Sequence, residues 1–276
     1  MGGFSIEGHR GARGLWPENT LAGFRGAAAL GIEALELDVM LTADGAVVVT
    51  HDAMLKPDLT RGADGLWLVA SGLAVAHMSA ADLGVFDVGR MRPGSAGARA
   101  FPHQTPADGA RIPLLAEVFA AIEAYPVVVD VEFKTDPDAP DQDLIALADA
   151  VLALATAGGW LDRLAVRSFD WRGLRHLASQ NAGLPMTWLT HATAVSDVPV
   201  CHAIVRAAGH GAARAAWGPH HASLTREAVI QAHALGLRVV PWTVNAVADM
   251  ARLVDWGVDG ICTDYPDRAL RLRSVL

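Results

Sequence analysis

Short β-rich runs alternate with Ala/Leu-rich stretches along most of the chain, and this rhythm constrains the fold more than any other feature. Parallel strands need a crossover of a dozen or more residues, usually a helix, so the alternation reads as successive βα units of a parallel sheet. The spacing predicts strands at 4–8, 34–39, 46–50, 127–133, 164–168, 186–189, 215–218, 238–243 and 260–263. Helices are expected at about 20–30, 114–124, 141–157, 171–179, 225–235, 246–255 and 266–274. Asn19 or Thr20 caps the first, and Gly31 stops it. These nine strands are one more than an eight-stranded barrel needs. Only residues 41–45 join the second to the third, too few for a helical crossover, so a hairpin-like return is expected there.

The 276 residues suit either one α/β barrel or two smaller domains, and no linker or longer repeat divides them. With 52% hydrophobic and 19% charged residues, the chain can bury a large core, which excludes a disordered protein. The net charge of −8 argues against nucleic acid as a partner. No apolar run is long enough to span a bilayer, so no stable membrane insertion is expected. The N-terminus offers no room for a secretory signal, and Cys201 and Cys262 suggest no disulfide framework; a cytoplasmic setting is the expectation. Residues 53–112 break the rhythm with Gly, Pro and polar residues, and read as an insertion after the third strand that helps shape the mouth of the barrel.

The strand ends carry the chemistry. In α/β barrels the catalytic groups come from the C-terminal ends of several strands. Here the first strand exits into Gly8-His9-Arg10-Gly11, the second ends Glu36-Leu37-Asp38, the third Thr50-His51-Asp52 and the fourth Glu132-Phe133-Lys134. Residues two apart on a strand share a face, so Glu36 and Asp38 point together, as do Asp130, Glu132 and Lys134. Three converging carboxylates, Glu36, Asp38 and Glu132, repel one another unless a cation joins them, and an all-oxygen set suits Mg²⁺ or Ca²⁺. The competing reading pairs each carboxylate with an arginine as buried scaffolding. Lys134 is one of only two lysines. Beside a metal, it and Arg10 describe a phosphoryl site; the alternative is a snorkelling surface lysine. His9 and His51 supply groups that titrate near neutrality, one to take a proton and one to give it. His176, His191, His202 and His233 fall in helices or loops with polar surface roles, whereas His220 and His221, just past a strand, remain open.

The ordered set His9-Arg10-Gly11, Pro17-Glu18-Asn19-Thr20, Glu36-Leu37-Asp38, Thr42-Ala43-Asp44-Gly45, His51-Asp52, Glu132-Phe133-Lys134, Ser168-Phe169, Trp242-Thr243-Val244-Asn245 and Gly257-Val258-Asp259-Gly260 resembles the glycerophosphodiester phosphodiesterase family from residue 8 to about 266. The resemblance implies a distorted (β/α)8 TIM barrel over 1–276, with the 53–112 insertion. It also implies metal-dependent hydrolysis of a small glycerophosphodiester to glycerol 3-phosphate and an alcohol. Position by position, His9 and His51 match the acid–base pair, Glu36, Asp38 and Glu132 the ligands of one divalent cation, and Arg10 and Lys134 the phosphate contacts. Trp242 matches a residue lining the glycerol side of the pocket, and Phe169 is a candidate for the same wall. Asn19 is expected to be a helix cap, and Glu18 to hydrogen-bond near Arg10. Phe133 departs from the family's small aliphatic residue, and is expected to point away from the site. Within the fold the runner-up is a lysophospholipase D or sphingomyelinase D type enzyme. From another class, a non-catalytic phosphodiester-binding barrel would be expected to have lost acid, base or metal positions, and none is lost. Oligomeric state is left open.

Overall fold

In the computed structural model, which describes residues 3–136, 138–180, 183–191 and 197–276, the chain alternates strands and helices. Strand β1 (Ser5–Gly8) leads to α1 (Leu21–Ala29), then β2 (Ala34–Leu41) and β3 (Val47–Val49). Two short helices follow, α2 (Ala80–Leu83) and α3 (Ala96–Ala100), then α4 (Leu115–Ile122) and β4 (Val128–Phe133). From there the units are regular: α5 (Asp141–Ala157), β5 (Leu164–Ser168), α6 (Trp171–Gln180), β6 (Met186–Thr190), α7 (Asp197–Ala208) and β7 (Ala215–Pro219). The last are α8 (Arg226–Ala234), β8 (Arg238–Val239), α9 (Val247–Asp255), β9 (Gly260–Thr263) and α10 (Pro266–Arg273).

Eight strands lie parallel in the order β8-β7-β6-β5-β4-β2-β1-β9. The ring draws together where the Asp259 N–H donates to the Val239 carbonyl (2.9 Å) and the Cys262 N–H to that of Pro241 (3.1 Å). The surplus strand is β3, antiparallel to β2 with Val39 opposite Val49, so the short 41–45 connection makes the expected hairpin and β3 stands outside the ring. Three local readings need correcting. Strand β8 is shorter than 238–243 because Pro241 has no N–H for a ladder. Helix α7 was not expected, since its Val, Ile and Pro content hides a helix; Pro199 sits in its first turn, where no N–H is needed. Asn19 is not the cap of α1: Thr20 is, its hydroxyl accepting from the Gly23 N–H.

The core lies between the ring and its helices, where Leu35, Leu37, Val129, Val131 and Val166 are buried from the outward faces of the strands. Phe133 belongs to this layer, against Gly173 of α6, and points away from the barrel axis as expected. Residues 53–112 build a second, smaller core in which Leu55, Val75, Leu83, Phe86 and Ile112 pack on Val48 of β3. Arg61 ties this segment together through Asp87 and Asp108, each at 2.6 Å. Among the described residues, no helix is long and apolar enough to cross a membrane.

Candidate active site

The β1 exit is a tight turn. A Cβ on Gly8 would stand 1.9 Å from the Gly11 carbonyl oxygen, and Arg10 and Gly11 both take positive φ (51° and 89°). That turn folds the backbone N–H of Arg10 onto Glu36 Oε2 at 2.7 Å and puts His9 and Arg10 over the β2 carboxylates. His9 donates from Nδ1 to Asp264 Oδ1 at 2.6 Å, and its Nε2 lies 3.9 Å from Glu36 Oε2. Asp264 is held in turn by Asn245 Nδ2 (2.7 Å) and Arg13 Nε (3.0 Å). In this arrangement the neutral ring carries its proton on Nδ1, and Nε2 is the basic nitrogen. Burial lowers the His9 pKa to about 4, outweighing the Asp264 hydrogen bond that raises it.

Oxygens of Glu36, Asp38 and Glu132 gather within 4.8 Å of one another, all buried. Register explains the meeting: Asp38 faces Glu132, and Glu36 faces Asp130, across the β2–β4 ladder. Burial, with Asp38 and Glu132 as neighbours, pushes Glu36 well above the ordinary carboxylate range. Burial also raises Glu132, by more than Lys134 lowers it. Asp38 goes the other way: burial opposes its charge, but Arg10 and Lys134 hold it well below the usual range. Lys134 Nζ bonds to Glu132 and lies 3.1 Å from Asp38 Oδ1. Arg10 donates to Glu18 (2.8 Å), as expected, and its Nε forms an ion pair with Asp38 Oδ2 at 3.3 Å without hydrogen-bond alignment. Glu36 Oε1 has no hydrogen-bond partner, and Asp38 Oδ1 has none of good geometry. Buried acceptors left open in this way, on hard oxygen ligands, fit a divalent cation.

Asn19 takes part directly. In the left-handed conformation (φ 53°), it donates from Nδ2 to Asp38 Oδ2 at 2.8 Å. His51 stands on the rim, its Nδ1 2.9 Å from Asp52 Oδ1, and Asp52 also meets Lys56 (2.7 Å). Two clefts meet at His51. One is lined by Met54, Leu55, Lys56, Met91, Glu18 and Asn19; the other runs past Lys134. One layer below the carboxylates, Arg167 bonds to both Glu7 and Asp130, all three buried. Asp130 is therefore neutralised in the floor and lies outside the cation cradle.

Phe169 and Trp242 fall on the opposite arc. Their rings meet edge to face at 5.1 Å, His191 stacks on Phe169 at 4.2 Å, and His220 packs edge to face on Trp242 at 5.1 Å. His9, Arg10, Glu36, Asp38, Glu132 and Lys134 thus form one connected cluster, with His51 on its rim, and Phe169 and Trp242 follow the exits of β5 and β8. Asp264, Asn245, Arg167 and Asp52 had no assigned role in the sequence, although Asn245 and Asp264 follow strand ends, where such groups belong.

A parallel barrel whose mouth joins a three-carboxylate cradle to two histidines, an arginine and a lysine is that of a (β/α)8-barrel phosphodiesterase. Residues 9–268 match the model of the glycerophosphoryl diester phosphodiesterase family, and the chain belongs to that family. Similar curated proteins include the glycerophosphodiester phosphodiesterases of Bacillus subtilis, 29% identical over 94% of this chain and 83% of that one, and of Caldanaerobacter subterraneus, 28% identical over 96% and 95%. Among solved structures, a Silicibacter pomeroyi protein superposes with a TM-score of 0.90 at 36% identity, covering 99% of this chain and 93% of that one. An Oleispira antarctica phosphodiesterase in complex with the product sn-glycerol-3-phosphate shares the fold, with a TM-score of 0.76 at 23% identity over 99% of this chain and 97% of that one.

Proposed function

We propose that the chain hydrolyses small glycerophosphodiesters to glycerol 3-phosphate and an alcohol, with His9 and His51 as the acid–base pair. The observation that carries this reading is the convergence of Glu36, Asp38 and Glu132 beside Lys134, Arg10 and the Asp264-held His9. Glu36, Asp38 and Glu132 would hold one divalent cation, Mg²⁺ or Ca²⁺. Bound there, it supplies Lewis-acid polarisation of a phosphoryl oxygen.

This chain's own groups do the rest. Arg10 and Lys134 bring positive charge to the phosphate, from guanidinium and ammonium groups already aimed at the carboxylates. His9 accepts a proton at Nε2 from the attacking water, whose oxygen bonds to phosphorus as the bond to the leaving alcohol breaks, because Asp264 occupies Nδ1 and burial keeps the ring neutral. His51, in its doubly protonated form with Nδ1–H donated to Asp52, gives its Nε2 proton to the leaving alkoxide. Residues 53–112 wall the mouth beside His51, and Trp242 and Phe169 face the glycerol. The cysteine usage supports a cytoplasmic setting.

The test measures glycerol 3-phosphate released from glycerophosphocholine by wild type, His51→Ala and Glu132→Ala, with and without EDTA. Loss of activity in both variants and in chelator is expected. Full activity in either variant, or indifference to EDTA, overturns the mechanism, and preferential cleavage of a lysolipid replaces the substrate.

A further inference from the structure

The mouth is divided by charge. The exits of β9, β1, β2 and β4 carry Asp264, His9, Arg10, Glu36, Asp38, Glu132 and Lys134, whereas those of β5 to β8 carry the rings of Phe169, His191, His220 and Trp242. Ring faces suit the C–H surface of a polyol, but its hydroxyl groups lose hydrogen bonds to water when they settle there and need polar partners. On this arc the indole N–H is already spent, since Trp242 Nε1 donates to the Gly218 carbonyl at 3.0 Å. The imidazoles are the remaining donors among these four rings.

Of the two, His220 is fixed. Its Nδ1 accepts the Ala222 N–H (3.3 Å), so the neutral ring carries its proton on Nε2. Its backbone pairs with Trp242 across β7 and β8: the Trp242 N–H donates to Pro219 (3.0 Å), and the His221 N–H to the Trp242 carbonyl (2.8 Å). The Ser223 hydroxyl donates to the His220 carbonyl at 2.9 Å. Ring packing, tautomer and backbone thus set one N–H donor against the aromatic wall.

We propose that His220 is a specificity-determining residue that donates from Nε2 to a hydroxyl of the substrate's glycerol moiety. It thereby separates a glyceryl phosphate from a phosphate lacking those hydroxyls. This rests on the proposed phosphodiesterase reading and goes beyond it in assigning the polar recognition group of the aromatic arc. Oriented hydrogen bonds to a neutral group contribute modestly, so the effect is about ten-fold in affinity.

The experiment compares the inhibition constants of sn-glycerol 3-phosphate and inorganic phosphate for wild type, His220→Phe and His220→Gln. Phenylalanine keeps the ring against Trp242, and glutamine keeps a donor. The expected result is a roughly ten-fold weaker inhibition by glycerol 3-phosphate in His220→Phe, partial recovery in His220→Gln, an unchanged constant for inorganic phosphate and an unchanged melting temperature. Equal weakening of both ligands, or no change for glycerol 3-phosphate, overturns the proposal. Wild type that releases no glycerol 3-phosphate from any glycerophosphodiester overturns the underlying reading instead, and is recognised in the same assay before any variant is compared.

Discussion

Asp264 Oδ1 and His9 Nδ1 lie 2.6 Å apart, joining the end of the last strand to the exit of the first. Asn245 and Arg13 fix the carboxylate, so the ring is oriented as well as paired. Asp264→Asn can turn its amide N–H toward Nδ1 and favour the tautomer with the proton on Nε2, which blocks the basic nitrogen. The expected outcome is a fall in kcat on the order of 100-fold with KM and cation affinity nearly unchanged. Steady-state kinetics together with a metal titration check it; a KM effect alone refutes the positioning role.

Asn19 supports the cradle from the α1 side through its 2.8 Å bond to Asp38. Asn19→Ala loses that bond and replaces a residue that tolerates the left-handed region with one that does not at φ 53°. Asn19→Gly relieves the backbone while still losing the bond. Both variants should weaken cation affinity about ten-fold, as loss of a hydrogen bond to a ligand does, whereas the alanine variant alone should lose a further ~1 kcal/mol of stability. Calorimetric titration and thermal melts separate the two effects.

These two residues also mark where sequence reading stops. Glu36-x-Asp38 and Glu132-x-Lys134 are legible because a strand's period of two puts each pair on one face, and β-rich runs locate the strands. Asn19 looks like a cap because Asn before a helix normally is one; its partner on β2 is set by the left-handed turn, which no local pattern announces. The Asp264–His9 and Arg167–Glu7 contacts depend on registers between strands more than a hundred residues apart in sequence. The extra strand was countable, but only the antiparallel pairing of β3 identifies it.

Cation binding should stabilise the fold. Glu36, Asp38 and Glu132 crowd their charges in a buried space, and a ligand at about 100 times its Kd adds about 2.7 kcal/mol. Saturating Mg²⁺ or Ca²⁺ should therefore raise Tm by several degrees, and EDTA should reverse it. Glu36→Gln has the opposite sign: without cation the variant should exceed the wild type by on the order of 1 kcal/mol, because a neutral amide costs less to bury than a repelled carboxylate. It should also lose the response to added cation. A variant that is less stable without metal and still responds would remove Glu36 from the cradle.

The floor of the barrel gives the fold a pH dependence of its own. Glu7 and Asp130 share the single guanidinium of Arg167, with all three groups buried. Burial pushes Glu7 up to about 7, against the pull of Arg167. Because the folded pKa lies above the unfolded value of 4.5, folding takes up a proton between them. The resulting stabilisation is complete below pH 4.5 and is lost as pH rises through 7. Denaturant melts in EDTA should show the wild type losing on the order of 3 kcal/mol from this group between pH 4.5 and 8. Glu7→Gln imitates the protonated acid, and should remove most of that slope while matching wild-type stability at the acid end. Arg167→Met is the counterpart: it strands Asp130 in the floor and should cost about 3–5 kcal/mol at neutral pH. Loss of the slope in Glu7→Gln, with its stability at pH 8 above that of the wild type, is the signature expected. An unchanged slope would place the titrating group elsewhere in the barrel.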